Sequence, residues 1–112
     1  MSDDIARVRL IALDLPGCEE KSSHGCPAFY VRDKPFARIH ETPGVLLLWR
    51  PSILEREELI AAEPAKFFTT DHYARHASVL LRLGEVDEVE LRELITESWE
   101  LRAPKRLREE LK

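Results

Sequence analysis

Residues 28–40 read AFYVRDKPFARIH, with two short runs of aromatic and β-branched residues on either side of the triplet DKP at 33–35. Residues of these types favour strands, and so short a connection favours antiparallel pairing of the two runs. The segment therefore predicts a β-hairpin with strands over 28–32 and 36–40. After a turn at Pro43-Gly44, the run VLLLW over 45–49 predicts a third strand, apolar enough to lie in the interior of the sheet.

Before the hairpin, the sequence predicts a helix and then a loop. The amphipathic pattern over 3–15 predicts the first helix, with Ser2 as its cap, and the pair Pro16-Gly17 ends it. Residues 18–27 are polar and show neither the helical nor the strand period. They are therefore predicted to form a loop.

Two helices after the hairpin have clear amino-terminal signals. Ser52 and Glu55 have the spacing of a capping box, which predicts a helix over 53–62. In a capping box the hydroxyl accepts a first-turn N–H and the carboxylate returns to the N–H of the cap residue. The strongest apolar periodicity of the chain follows Asp87 and predicts a helix over 87–103.

The remaining runs complete a two-layer arrangement. Strands are predicted over 66–69 and 78–83, and one or two further helical turns after Pro104. The order α-β3-α-β2-α with hairpin-length connections predicts an α+β sandwich, in which helices cover one face of a five-stranded, mainly antiparallel sheet. The expected core comprises Ile5, Val8, Val31, Ile39, Leu47, Leu81, Leu91, Ile95 and Trp99.

The composition is that of one globular domain. The chain has 112 residues, 44% apolar and 34% charged, with a net charge of −4, so we expect a single domain over residues 1–112. The longest apolar run, VLLLW, is far shorter than the roughly 20 residues of a membrane span. The start MSDD is acidic where a secretion signal is basic, which leads us to expect a cytoplasmic protein without a membrane partner.

Four motifs carry a family resemblance. They are LDLPGCEE over 13–20, AFYVRDKPFAR over 28–38, FFTTDHY over 67–73 and RAPKRL over 102–107. In order and spacing they resemble the MmcQ/YjbR family over essentially the whole chain. The resemblance implies a small bacterial CyaY-like or secretion-chaperone-like fold and a family often labelled DNA-binding, and it implies no enzyme and no cofactor. The chain departs from many members at Asp33, where they have Gly, and near His76, where they have an aromatic residue.

The predicted hairpin has a basic and aromatic side. If Phe29, Val31, Ala37 and Ile39 face the helices, strand alternation directs Tyr30, Arg32, Phe36, Arg38 and His40 to the other side of the sheet. Rings and cations on one uncovered face suit stacking on bases and contact with phosphates. The same residues are also common on solvated strand faces, where arginine covers neighbouring apolar surface. The net charge of −4 opposes polyanion binding overall, so such binding depends on the local charge.

A second basic cluster lies near the carboxyl end. It consists of Arg102, Lys105, Arg106 and Arg108. The macrodipole favours cations at a helix carboxyl end, and Glu109 and Glu110 have the i, i+4 spacing to pair with Lys105 and Arg106. The cluster is therefore either a solvated ion-pair surface or an auxiliary phosphate site.

Metal and catalytic patterns are weak. His72 and His76 beside Asp71 have ligand spacing on a helical turn but no accompanying motif, and Cys18 and Cys26 lack the close spacing of zinc pairs. Nucleophile-elbow, P-loop and dinucleotide motifs do not occur in the sequence. We therefore expect a protein that is not an enzyme and that has no metal, cofactor or small-molecule substrate, with the two cysteines as isolated thiols or packing groups.

These observations give two functional hypotheses. The first is weak, low-selectivity DNA binding through the basic sheet face, with contacts from Tyr30, Arg32, Lys34, Arg38, Lys105, Arg106 and Arg108. In this hypothesis Arg32 and Arg38 are solvated. The alternative is a protein- or peptide-interaction module, chaperone-like, in which the uncovered sheet face or an edge strand accepts a partner chain.

Overall fold

The computed structural model describes residues 2–111, with side chains from Asp4 onward, so the predicted cap by the Ser2 side chain lies outside the described residues. The elements in chain order are α1 (Ser2–Ala12), β1 (Cys18–Ser23), β2 (Cys26–Val31), β3 (Lys34–Ile39), β4 (Val45–Trp49), α2 (Ile53–Ala62), β5 (Phe67–Phe68), β6 (Ser78–Arg82), a 3₁₀ turn (Leu83–Glu85), α3 (Glu88–Arg102) and α4 (Lys105–Glu110). The six strands form one antiparallel sheet in the order β1-β2-β3-β4-β6-β5. The predicted α+β class is confirmed. Among the described residues no helix has the length and apolar character to cross a membrane.

The predicted loop over 18–27 is wrong, because most of it is strand β1. This strand lies at the sheet edge and pairs with β2 from Cys18↔Val31 to Ser23↔Cys26. The two residues between them, His24 and Gly25, have φ of 54° and 80°, as in the type I′ turns that match strand twist. An exposed edge strand needs no apolar residues, so β1 shows no apolar alternation.

The β2–β3 hairpin is tighter than predicted and contains an irregularity. Its turn consists of Arg32 and Asp33, both with positive φ, so β3 begins at Lys34. The pairing steps from Phe29↔Ala37 to Tyr30↔Pro35 and passes over Phe36, which is the pattern of a β-bulge. Because the bulge interrupts the alternation, Phe36 is buried in the core with Ala37 and not on the uncovered face as predicted.

The main core lies between the helices and one face of the sheet. Val8 and Ile11 of α1 and Leu91 and Trp99 of α3 are buried against alternate residues of β2, β4 and β6 and against the bulged strand β3. Burial of each large apolar side chain contributes about 1.5–3 kcal/mol. Of the expected core, Ile5 is only half-buried at the margin, and Leu47 is buried on the opposite face of the sheet. We call that opposite face, away from α1 and α3, the open face.

The predicted caps of α2 and α3 are present, but the Glu55 carboxylate of the α2 capping box has a different partner. Ser52 accepts a hydrogen bond from the backbone N–H of Glu55 at 3.0 Å. The Glu55 carboxylate does not return to the cap as predicted, because it binds Arg50 at 2.6 and 2.9 Å. Asp87 accepts from the N–H of Glu90 at 2.8 Å. The Glu55 carboxylate therefore connects α2 to Arg50, and the Glu90 carboxylate connects α3 to Lys66, which donates to it at 2.7 and 2.8 Å.

Candidate functional site

The open face has its own small apolar cluster. Val45, Leu47 and Leu80 are buried in it, and the half-buried rings of Trp49, Phe68 and Tyr73 pack against them. Tyr73 comes from residues 69–77, which we call the β5–β6 connection. This connection therefore covers part of the open face and leaves the rest accessible.

Arg56 fixes the β5–β6 connection to α2. Its side chain is only 2% exposed, and its Nε donates to the Glu57 carboxylate at 2.8 Å. Its Nη1 and Nη2 groups donate at 2.9–3.2 Å to the backbone carbonyls of Tyr73, Ala74, His76 and Ser78. A buried guanidinium is tolerated where its donors are satisfied in this way. One side chain thus determines the path of the segment that covers the open face.

The connection and the sheet form a basin of about 630 Å³, which we call the aromatic basin. Its walls include the rings of Tyr30, Trp49 and Tyr73. Its polar residues are Ser23, His24, Arg38, His40, Glu41, Thr70 and His72. A depression of about 200 Å³ beside it adds His76, so all four histidines of the chain line this face. The basin combines the rings, cations and N–H donors that base and phosphate recognition requires.

Arg38 is the main cation of the basin. Its side chain is 12% exposed, and its Nη2 donates to the Tyr73 hydroxyl at 2.5 Å. Its Nη1 lies 3.5 Å from a Glu41 carboxylate oxygen and has no hydrogen-bond partner within residues 2–111. The expectation that Arg38 is solvated is wrong, because Tyr73 reaches it from the distant β5–β6 connection.

His40 directs a second polar group toward Glu41. The backbone N–H of Thr42 donates to His40 Nδ1 at 3.0 Å, so the neutral ring has its proton on Nε2. That Nε2 lies 4.0 Å from the Glu41 carboxylate. The pKa of Glu41 is lowered by a hydrogen bond from its own backbone and by the nearby charges of His40, Arg38 and His24. The Glu41 carboxylate is therefore an anion held at the rim of the basin.

The other predicted hairpin residues lie around the basin. Tyr30 forms part of its wall, and Lys21 Nζ of the neighbouring strand lies 4.9 Å from the centre of the Tyr30 ring. Arg32 and Lys34 are exposed at the β2–β3 turn. The hairpin thus places Tyr30 and Arg38 within the basin and two exposed cations at its tip.

Three cations of the carboxyl-terminal cluster lie on the helix layer and not on the open face, whereas Arg102 lies 5.2 Å from the centre of the Trp49 ring and donates to the Pro35 carbonyl at 3.1 Å. Lys105, Arg106 and Arg108 are exposed on α4, whose Leu107 packs into the main core. Lys105 and Arg108 line a separate groove with acidic residues of α3. The predicted pairing of Lys105 and Arg106 with Glu109 and Glu110 is wrong, since residues 105–110 form no ion pair among themselves within 4.0 Å.

The cysteines and histidines do not assemble a metal centre in the described chain, where no group of three or more His, Cys, Asp or Glu has suitable geometry. Cys18 and Cys26 are free thiols, both half-buried against the main core. Burial, with the nearby charges of Glu20 and Glu19, raises the pKa of Cys18 to about 12. Because the thiolate is the reactive species, Cys18 is a packing group at neutral pH.

Three residues of the site were missed by the sequence analysis. Trp49 was placed in a predicted strand and Tyr73 between the predicted strands over 66–69 and 78–83, and neither was given a role. Arg56 had a detectable signal, since it lies on the same helical stripe as Leu59 and Ile60. A charged residue at an apolar-stripe position indicates a buried cation that needs several acceptors.

Comparison with known proteins identifies the family. The chain is 51% identical over 49 residues to the uncharacterized proteins Rv2570 of Mycobacterium tuberculosis and Mb2600 of Mycobacterium bovis, a match that covers 44% of this chain and 38% of each relative. The crystal structure of Deinococcus radiodurans protein DR2400, with a DUF419 domain, superposes with a TM-score of 0.75 at 25% identity, over 96% of this chain and 86% of that one. The YjbR family profile matches residues 13–101. The chain therefore belongs to the YjbR family.

Proposed function

We propose that the chain binds DNA weakly and with low sequence selectivity through the aromatic basin of the open face. The observation that carries the proposal is that three rings, those of Tyr30, Trp49 and Tyr73, line one basin together with Arg38, whose guanidinium contacts Tyr73. Sheet-based nucleic-acid binders use the same combination, in which bases stack on rings and cations contact phosphates. Stacking tolerates every base, which accounts for low selectivity.

The exposed cations at the hairpin tip supply the phosphate contacts outside the basin. Arg32 and Lys34 are free to follow a backbone that leaves the basin. Lys105, Arg106 and Arg108 are assigned an auxiliary role, because α4 packs on the other side of the sheet. With a net charge of −4, the complex is expected in the range of non-specific binding, about 10⁻⁴ to 10⁻⁶ M at physiological salt.

Fluorescence anisotropy with labelled oligonucleotides at several salt concentrations tests the proposal. If about four phosphates are neutralised, log affinity should fall against log salt with a slope of roughly −3 to −4. Arg32→Met and Lys34→Met should each make that slope shallower by about 1. The matched control is Arg92→Met, an exposed arginine of α3 on the helix layer, which should leave the slope unchanged.

The same titration separates the two basic clusters. Replacing Lys105, Arg106 and Arg108 together by Met should weaken binding less than replacing Arg32 and Lys34 together. Low salt screens surface charges least, so any electrostatic binding is strongest there. If neither single- nor double-stranded oligonucleotides bind at low salt, the proposal is wrong.

The second candidate is a protein- or peptide-interaction module, and the outer edge of β1 is the observation in its favour. Within the described chain β1 pairs only with β2, and Glu19 to Ser22 are exposed. A partner strand could add to this edge through backbone hydrogen bonds. A pull-down from nuclease-treated extract distinguishes the candidates, because protein partners of β1 persist and partners bridged by nucleic acid are lost.

A further inference from the structure

We infer that the aromatic basin accommodates one unpaired nucleotide, so that the open face selects single strands over duplexes. The inference rests on the proposed function and specifies its ligand. The volume of about 630 Å³ falls within the roughly 300–1,000 Å³ typical of small-molecule sites. One nucleotide is a ligand of that class.

The rings of the basin are less accessible than its rim, which disfavours contact with paired bases. Its rings are half-buried, whereas the rim residues His24, Glu41 and His72 are exposed. The bases of a duplex are stacked inside the helix, and a base must leave the stack to enter a recessed pocket. A duplex can therefore present its phosphates to the rim but not its bases to the rings.

Glu41 marks where the phosphate binds. Its carboxylate lies 3.5 Å from Arg38 Nη1 and 4.0 Å from His40 Nε2. Nη1 has no hydrogen-bond partner within residues 2–111, and the Glu41 side chain is 63% exposed, so it can swing toward solvent. A phosphate oxygen in place of this carboxylate gains both donors. Glu41 therefore competes with the ligand for the same two groups.

The titratable and charged groups that face this position come from several elements. Arg38 and His40 belong to β3 and its end, Glu41 follows them, His24 lies in the β1–β2 turn, and His72 belongs to the β5–β6 connection. Only Glu41 is anionic among these five. Removing its charge should consequently strengthen phosphate binding.

The two tryptophans allow a direct test. Trp49 lines the basin, whereas Trp99 is fully buried in the main core and serves as a constant background. A nucleoside 5′-monophosphate should quench the fluorescence of the wild-type chain and not that of Trp49→Phe. Inorganic phosphate and the free nucleoside, used as separate probes, should each bind more weakly than the monophosphate. Far-UV circular dichroism and thermal unfolding confirm that each variant is folded.

A second experiment measures the binding of one oligonucleotide sequence in its single-stranded and its double-stranded form. The single strand should bind at least tenfold more tightly, and Glu41→Ala should tighten its binding several-fold. The matched control is Glu93→Ala, an exposed acid of α3, which should leave binding unchanged. If oligonucleotides bind but the duplex binds as tightly as the single strand, or the monophosphate does not quench Trp49, the inference is wrong and the proposed function stands. If no oligonucleotide binds, the proposed function fails as well.

Discussion

The two faces of the sheet are stabilised in different ways. On the helix-covered face, α1 and α3 bury a continuous apolar core that includes Phe29, Leu91 and Trp99. On the open face, the apolar cluster is confined to β4 and its neighbours, and the segment above it is held by the packing of Tyr73 and by the hydrogen bonds of Arg56 and Arg38. The first face is thus rigid through packing, and the second is shaped through hydrogen bonds that leave room for a ligand.

The distribution of charge follows the same division. Three of the five acids of α3 are paired, Glu88 with Arg7, Glu90 with Lys66 and Glu97 with Arg50. The open face instead has the four histidines and the incompletely paired guanidinium of Arg38. The acidity of the whole chain therefore says little about the local charge of the basin.

The largest change in the free energy of unfolding should come from a substitution on the buried side of α3. Leu91→Ala should lower the free energy of unfolding by about 2–5 kcal/mol, because Leu91 is 0% exposed and its truncation leaves a cavity. Val89→Ala on the same helix, where Val89 is 71% exposed, should change it by no more than about 0.5 kcal/mol. Urea denaturation followed by circular dichroism measures both. Equal effects of the two substitutions would contradict the assigned helix face.

A substitution of Arg56 should have an intermediate effect on the free energy of unfolding. Arg56→Met removes the donors of four backbone carbonyls and should destabilise the fold by about 1–3 kcal/mol, the cost of leaving buried acceptors unsatisfied. It should also change the near-UV circular dichroism signal of Tyr73, because the β5–β6 connection loses its anchor. The control is Arg75→Met, an exposed residue of the same connection, which should alter neither property. Unchanged stability and near-UV signal in Arg56→Met would show that the connection is held by other contacts.

The sequence predicted the helix-covered face well and the open face poorly, for physical reasons. Helix periodicity located Leu91, Ile95 and Trp99 because apolar burial leaves a pattern in the sequence. Strand β1 leaves no such pattern, since its stability comes from backbone pairing with β2. The turn His24-Gly25 was the available signal for that hairpin.

Two side chains show what alternation alone cannot predict. Phe36 is buried in the core because a bulge shifts the register by one residue at that point. Arg38 has the predicted direction, and it is covered because its Nη2 donates to the hydroxyl oxygen of Tyr73, which is 35 residues away in sequence. A bulge and a long-range contact both depend on tertiary structure, so they could not be derived from a local pattern.

The smallest expected effect on stability concerns the acidic side chains on the two faces of β1. Glu20 faces α1, where its carboxylate accepts from Arg9 at 2.7 and 2.8 Å, whereas Glu19 pairs across the sheet with Tyr30 on the open side. The hydrogen bond from Arg9 lowers the pKa of Glu20. A lowered folded-state pKa contributes stability above the unfolded value, about 4.3, and that contribution is lost as the pH falls through the folded value.

Because both side chains of the Arg9–Glu20 pair are partly exposed, its coupling should be smaller than either effect above and weaker at high salt. A double-mutant cycle with Arg9→Met and Glu20→Gln, measured by urea denaturation at low salt, should give a favourable coupling at pH 7 that is lost as the pH falls through the lowered pKa of Glu20. Glu19→Gln is the matched control and should show no coupling to Arg9. A coupling of Glu19 to Arg9 as large as that of Glu20 would mean that β1 directs the opposite set of side chains toward α1. In that case the assignment of side chains to the two faces of the sheet would be wrong for β1.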